Sequence, residues 1–255
     1  MFRPRVIPVL LLRNGGLVKT EKFGAHRYIG DPINAVRIFN DHRADELVFL
    51  DILATREGRL ISLDFVRDVG EEANMPFAVG GGIRSLADIR NILSAGAEKV
   101  VLNSIAAESP DFIAQAADSF GSSTITVCMD VKQKRFGGPK TWTVGGTRPT
   151  EYAPEEFAKV AEDKGAGEII VQSIPRDGTM SGYDLNLINC VSQAVTIPVV
   201  ALGGASGLDD LHRVYRETHA TGLAAGSMFV YHGPKRGVLI NYPDRAELQF
   251  LAGQA

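Results

Sequence analysis

The chain has 255 residues, 45% hydrophobic and 22% charged, with 27 Lys plus Arg against 30 Asp plus Glu and a formal net charge of −3. This composition excludes a disordered or fibrous chain, and the absence of any basic block argues against a nucleic-acid surface or an anionic-membrane anchor. Cys128 and Cys190 both fall in apolar runs without metal-ligand spacing, which excludes a disulfide framework and leads us to expect a reduced, cytoplasmic setting with no metal.

The first element is a strand over residues 5–12, Arg5 followed by seven apolar residues that include Pro8. The run is too short for a membrane helix. It ends at Arg13 without a small-residue cleavage site, so it reads as a buried strand and not as a signal peptide. Further apolar runs cover residues 46–52, 76–79, 99–103, 124–131, 168–174, 198–202 and 222–225. Each is too apolar for a half-exposed strand and is expected to be buried on both faces, as in a parallel sheet. Amphipathic stretches over 31–43, 60–72, 85–95, 111–120, 154–164, 185–191 and 208–219 predict the intervening helices, with Asp31, Ser85 and Ser109 as N-caps. Eight βα units in a chain of this length predict a single (β/α)8 TIM barrel.

The chain also repeats itself. Glu46 and Glu168 open matching strands, and Gly81-Gly82 and Gly203-Gly204 follow matching strands, in both cases 122 residues apart (46 and 168; 81 and 203). Two half-barrels are therefore expected, over about 1–122 and 123–255. The longest irregular stretch, 133–150, follows the fifth strand, and its Lys140-Thr141-Trp142-Thr143-Val144 alternation predicts a small hairpin over the mouth.

Glycine-bearing loops follow four strands: Gly80-Gly81-Gly82, Asp177-Gly178-Thr179, Gly203-Gly204-Ala205 and Ala225-Gly226-Ser227. Glycine lets the backbone close on a ligand and point N–H groups at an anion, and the loops after strands seven and eight form the usual phosphate site of such barrels. The repeat then predicts an equivalent site around Gly81, Gly82, Asn103 and Ser104, hence a ligand phosphorylated at both ends. Tight βα turns with no ligand are the plainer reading of each loop.

These residues also carry a resemblance. Phe49-Leu50-Asp51-Ile52, Val79-Gly80-Gly81-Gly82-Ile83-Arg84 and the run from Ser173 to Asp184 ending in Gly182-Tyr183-Asp184 are similar to HisF, the cyclase subunit of imidazole glycerol phosphate synthase, over roughly residues 4–230. The resemblance implies glutamine-derived ammonia as co-substrate, no cofactor, and a HisH-like glutaminase docked at the N-terminal barrel face. It implies a charged ammonia gate at the barrel bottom made of Arg5, Glu46, Lys99 and Glu168, the same four residues that start strands one, two, four and six. Without it, charges at strand starts are merely groups that touch water. It further implies that Lys19 closes over substrate and that Asp51 and Asp177 lie near it, although Lys19 could be a solvated loop residue and Asp177 could simply shape its turn.

Two features depart from that pattern. The family places acid and base carboxylates on strands one and five. Asp130 matches the second, but Leu11 occupies the first, and a leucine transfers no proton. Gln172, Pro175 and Leu202 also differ from the small or acidic residues usual there. Moreover, residues 230–243 resemble a HisF-like branch associated with acetamidino modification of surface-polysaccharide sugars, in which a separate sugar amidotransferase uses the ammonia. The expected function is thus ammonia handling with a glutaminase, with poor imidazole ring closure. The alternative is a genuine cyclase of histidine biosynthesis, and the related sugar-phosphate isomerase barrel is weaker because it too needs both aspartates. His26, His42, His212 and His219 show no metal spacing and are expected on the surface.

Overall fold

The computed structural model describes residues 3–134 and 137–252; positions 135 and 136 of the glycine-rich insertion and the two chain ends lie outside it. Eight parallel strands close a barrel: β1 (Arg5–Arg13), β2 (Leu47–Asp51), β3 (Phe77–Gly80), β4 (Lys99–Leu102), β5 (Ile125–Gln133), β6 (Glu168–Ser173), β7 (Val199–Leu202) and β8 (Gly222–Ala225). Each pairs with the next, and β8 returns to β1 with Arg5 opposite Gly222 and Ile7 opposite Ala224. Outside lie α1 (Pro32–Asp41), α2 (Leu63–Glu72), α3 (Leu86–Ser94), α4 (Asp111–Phe120), α5 (Pro154–Asp163), α6 (Leu185–Ser192) and α7 (Leu208–Glu217).

The two-residue period of a strand sorts these side chains into two cores. Ile7, Val9, Val48, Ala78, Val101, Cys128, Ile170, Val200, Leu202 and Ala224 form a buried cluster inside the barrel, with Leu11 and Leu50 packed on it. The alternate positions, such as Val6, Leu10, Phe49, Phe77 and Val127, join the apolar stripes of the helices in the larger outer core. Phe49 meets Phe65 of α2 edge to face at 5.3 Å, a geometry that adds to area burial.

Asp31 caps α1 by accepting from the Asn34 N–H, and Ser85 forms a reciprocal capping box with Asp88, both as expected. Ser109 does not cap α4. Pro110 takes that position, and Ser109 instead terminates an unforeseen short helix, Ser104–Glu108. The eighth strand is followed by no α-helix among the described residues. A 3-10 turn, a two-rung hairpin (Tyr231–His232 with Gly237–Val238) and a final 3-10 turn at Gln249–Ala252 replace it. Gly233, Pro234, Gly237 and Pro243 break helical periodicity there. Tyr242 anchors the segment by donating from its hydroxyl to Val6 O and accepting from Asp45 N, while its ring stacks on Phe229.

Two additions shape the mouth. Strands Gly16–Thr20 and His26–Gly30 form an antiparallel hairpin that continues β1, which the sequence did not suggest. The expected hairpin after β5 is present as Pro139–Thr143, with Asp130 opposite Trp142. Cys190, expected in apolar surroundings, is exposed on α6 beside Glu155, because its position falls on that helix's outer face. Among the histidines, His42 and His219 are exposed, His212 is half-buried, and His26 is exposed on the rim of the mouth, where its hairpin folds back over β1. No helix among the described residues is long and apolar enough to cross a membrane.

Candidate functional site

The bottom of the barrel carries a closed ring of charge. The N-terminal positions of β1, β4 and β6, and the residue before β2, all face inward by strand parity. They bring Arg5, Glu46, Lys99 and Glu168 together. Arg5 donates to both carboxylates through its two terminal nitrogens. Lys99 Nζ donates to the remaining oxygen of each, at 3.0 Å to Glu46 and 3.2 Å to Glu168. Glu46 and Glu168 are 3% and 6% exposed, so this burial is tolerable only because every carboxylate oxygen is paired. Thr126 of β5, paired with Glu168 on one side and on the other with Val101, two residues above Lys99, is 1% exposed, with a hydroxyl that has no hydrogen-bond partner.

Further up the same face of β5 come Cys128 and then Asp130, which reaches the mouth. Asn103 Nδ2 donates to Asp130 Oδ2 at 3.1 Å and to Cys128 O at 2.9 Å, which fixes the carboxyl's position. Burial drives the Asp130 carboxyl up from its ordinary 3.8 to about 7, the Asn103 hydrogen bond opposing this and the negative field of Asp177 adding to it. A carboxyl poised there can both give and take a proton near neutrality. Four strands away, at the opposite side of the barrel, Leu11 presents methyl groups. No acidic side chain stands in its place.

The stability consequence can be measured. Between about pH 4 and pH 7 the unfolded chain ionises this carboxyl while the folded chain keeps its proton, so the group subtracts stability as pH rises through that window. Asp130→Asn is expected to be more stable than the parent by up to about 4 kcal/mol at pH 8, with the gap shrinking to nothing below about pH 4. Thermal melts across pH 4–8 check this, and a gap that does not change with pH would show that the carboxyl is not held neutral.

The mouth is divided unequally. The larger cavity, about 560 Å³, is lined by Asp51, Gly81, Gly82, Asn103, Ser104 and Asp130. Gly82 is obligatory, since at φ +70° a Cβ would lie 1.8 Å from Arg59 O. Ser104 Oγ accepts from Val144 N and so ties the β5 insertion to this cavity. The second pocket holds Lys19, Asp177, Gly178, Gly203, Gly204, Gly226 and Ser227 around only about 20 Å³. Leu11 and Gln172 border both. The expected pair of equivalent pockets is therefore present in outline but not in volume, with Lys19 among the residues lining the smaller one.

Other expected site residues are placed as follows. Asp51 points away from the barrel interior, since Leu50 is the inward residue. Its carboxylate caps Leu53 N and Ala54 N and pairs with Arg59 at 2.6 Å. Asp177 accepts from Thr20 Oγ1 at 2.9 Å and Gln172 Nε2 at 3.1 Å, and burial raises its carboxyl against the pull of Lys19. Thr179 is outside the pocket lining, with its hydroxyl closing its own turn onto Arg176 O. Leu202 lines the second pocket beside Leu11, whereas Pro175 is exposed on a 3-10 turn and walls neither pocket. Tyr183 explains the stringency of its motif: its buried hydroxyl donates to Ala224 O and fastens the β6 loop to β8, while Asp184 caps α6.

Sequence reading missed the cationic rim. Arg13, Arg56, Arg84 and Arg148 line the larger cavity and come from four separate segments. Arg84, two residues after the Gly80-Gly81-Gly82 loop, was the one with a local signal.

Comparison with known proteins agrees with this geometry. A family model described as histidine biosynthesis protein matches residues 5–234. The imidazole glycerol phosphate synthase subunit HisF of Caulobacter vibrioides is 43% identical over 230 residues, covering 90% of this chain and 88% of that one. Proteins of Leptospira interrogans and Pseudomonas aeruginosa, provisionally named as the same subunit, are 44% identical over 255 residues and 43% identical over 244. They cover 98% and 96% of this chain and 99% and 97% of their own lengths. With the closed eight-stranded barrel and its paired glycine loops already in view, the chain belongs to the histidine biosynthesis protein family, as one of its HisF-like members.

Proposed function

We propose that this barrel is the ammonia-handling subunit of a glutamine-dependent pair. A HisH-like glutaminase sits at the N-terminal face, and ammonia enters past Arg5, Glu46, Lys99 and Glu168 and emerges near Asp130. The observation that carries the reading is Leu11 facing the mouth across from Asp130 while the charged ring below is complete. Selection on ring closure alone would keep both ends of the barrel, whereas a conduit needs the inlet and not the second proton carrier. The unpartnered Thr126 hydroxyl between ring and Asp130 supports it, since ammonia can both donate to and accept from a hydroxyl. The acceptor is then a surface-polysaccharide sugar, converted to an amidine by a third protein, a sugar amidotransferase, in the cytoplasm.

A second reading, a working cyclase of histidine biosynthesis, draws on the carboxyl of Asp130 held at about 7. It would require Asp51 or Asp177 as partner, and both are committed elsewhere, to Arg59 with two helix-start N–H groups and to Thr20 with Gln172. The test is co-expression with a HisH-like glutaminase. The conduit reading expects a stable pair in which glutamine hydrolysis exceeds that of the free glutaminase by at least about tenfold, a coupling of about 1.4 kcal/mol. Failure to pair, or pairing with no stimulation, would overturn it.

A further inference from the structure

The larger cavity of the mouth is ringed by unmatched positive charge. Arg13 is the inward residue next above Leu11 on β1, by the same parity that turns Arg5 into the ring below. Its Nε is buried with no hydrogen-bond partner, and its Nη1 meets the His26 ring. Arg56 comes from the short helix Ala54–Glu57 after β2 and donates to Gly145 O at 3.4 Å. Arg84 follows the β3 glycines and donates to Thr55 O at 3.2 Å. Arg148 returns along the β5 insertion, on the strand Arg148–Pro149 that pairs with Trp142 and Thr143. The insertion is pinned over the cavity by Ser104 and by Lys132, whose Nζ donates to Gly146 O at 2.7 Å.

No carboxylate among the described residues forms an ion pair with any of these four. Arg59, three residues from Arg56, shows the contrast, since it is paired with Asp51 and Glu57 at 2.6 Å each. Asp51, Glu108 and Asp130 are the acidic residues lining the cavity. Asp51 is engaged by Arg59, and Asp130 keeps its proton up to about pH 7, which leaves Glu108. Four guanidinium groups therefore face one remaining carboxylate, in a chain whose acidic residues outnumber its basic ones by 30 to 27. Like charges gathered around a cleft repel one another, and its low-dielectric walls focus their field on the space between, where an anion restores the balance.

The planar fork of arginine matches phosphoryl oxygens two at a time. One phosphoryl group carries up to about two negative charges, so a single phosphate against the Gly81-Gly82 loop would leave about two of the four positive charges unmatched. A second phosphoryl group joined to the first supplies them. We infer that the arginine rim is a further anion subsite of the larger cavity, and that the ligand taken there carries a diphosphate group whose outer phosphoryl is held by Arg13, Arg56, Arg84 and Arg148. The inference goes beyond the conduit reading and does not depend on it, because the cavity and its charges stand whether or not a glutaminase docks below.

Calorimetric titration of the full chain with inorganic pyrophosphate and, separately, with inorganic phosphate, at one fixed ionic strength, tests the subsite. The parent is expected to bind pyrophosphate at least about tenfold more tightly than phosphate, the effect of one added charge-assisted contact. Arg56→Gln combined with Arg84→Gln keeps a donor for each backbone carbonyl while removing both charges. It should abolish the preference and leave phosphate binding within about threefold of the parent's. Arg216→Gln, on the last turn of α7, removes a charge outside the mouth and should change neither affinity. Equal affinities for the two anions in the parent, or no pyrophosphate binding at all, would overturn the assignment. So would a preference that survives the double variant, which would seat the anion at the β7 and β8 loops instead, or one that Arg216→Gln reduces to the same extent. Should the double variant not fold, Arg84→Gln alone, expected to weaken pyrophosphate by at least about threefold, decides together with the parent ratio. Glutaminase pairing is read separately from these titrations, so its loss sinks only the conduit reading.

Discussion

Given ammonia and the ribulosyl bisphosphate of histidine synthesis, this barrel is expected to form imidazole product about 10²–10⁴-fold more slowly than a HisF with aspartates on both strands one and five. The reason is local. Ring closure needs one group to accept a proton and another to return it, and at this mouth Asp130 has Leu11 across from it. The cost is that of one general acid or base. Leu11→Asp is the decisive companion, expected to raise turnover by at least tenfold. It should also lower stability, since a second carboxyl enters an apolar wall beside Leu202 and Leu50. Direct assay of product from both proteins, with ammonium salt replacing glutamine, reads the outcome. Parent turnover equal to that of a two-aspartate barrel would show that another group supplies the missing transfer.

Removing one carboxylate from the bottom ring should be strongly destabilising. Glu168→Ala leaves Arg5 and Lys99 sharing Glu46 alone, with two positive charges brought together at a site where Glu168 itself is 6% exposed. Breaking a buried pair from one side costs about 3–5 kcal/mol. Arg5 retains a third of its exposure, so water takes up part of the loss and the lower end, about 3 kcal/mol, is expected. That corresponds to a melting temperature lower by roughly 6–12 °C for a domain of this size. Glu168→Gln, which keeps an acceptor for Arg5 and the shape of the ring, should lose about half as much. Thermal unfolding of the three proteins checks this. A Glu168→Ala protein as stable as the parent would show that the four charges do not act as one buried unit. The same variant tests the inlet, because a ring that gates ammonia should uncouple glutamine hydrolysis from ammonia use when one member is lost.

The contrast between the two pockets also revises what an internal repeat implies. Glycines follow both β3 and β7, and the backbone is alike at the two places, as Gly82 and Gly204 both adopt positive φ against a close carbonyl. Side chains need not match. Lys19 lines one pocket, while four arginines line the other.

Much of the fold was legible in the residues themselves. Strands buried on both faces produce unbroken apolar runs, helices with one buried stripe produce a 3.6-residue period, and loops that must take positive φ use glycine. These are local requirements, so eight strands, seven helices and the charges at the strand starts could be read in the chain, while the departure at Leu11 showed only through the resemblance. Ser109 and the missing eighth helix mark the limit, since a cap or a final helix is decided by what its neighbours leave room for. Only the tertiary structure could show that Lys19 meets Gly226, that Arg236 ties the C-terminal hairpin to the β6 loop, that four arginines ring one cavity, and that Asp130 holds its proton near pH 7. Each of these depends on distant segments converging when the barrel closes, and on the water that the closed barrel excludes, neither of which is written in any one stretch of sequence.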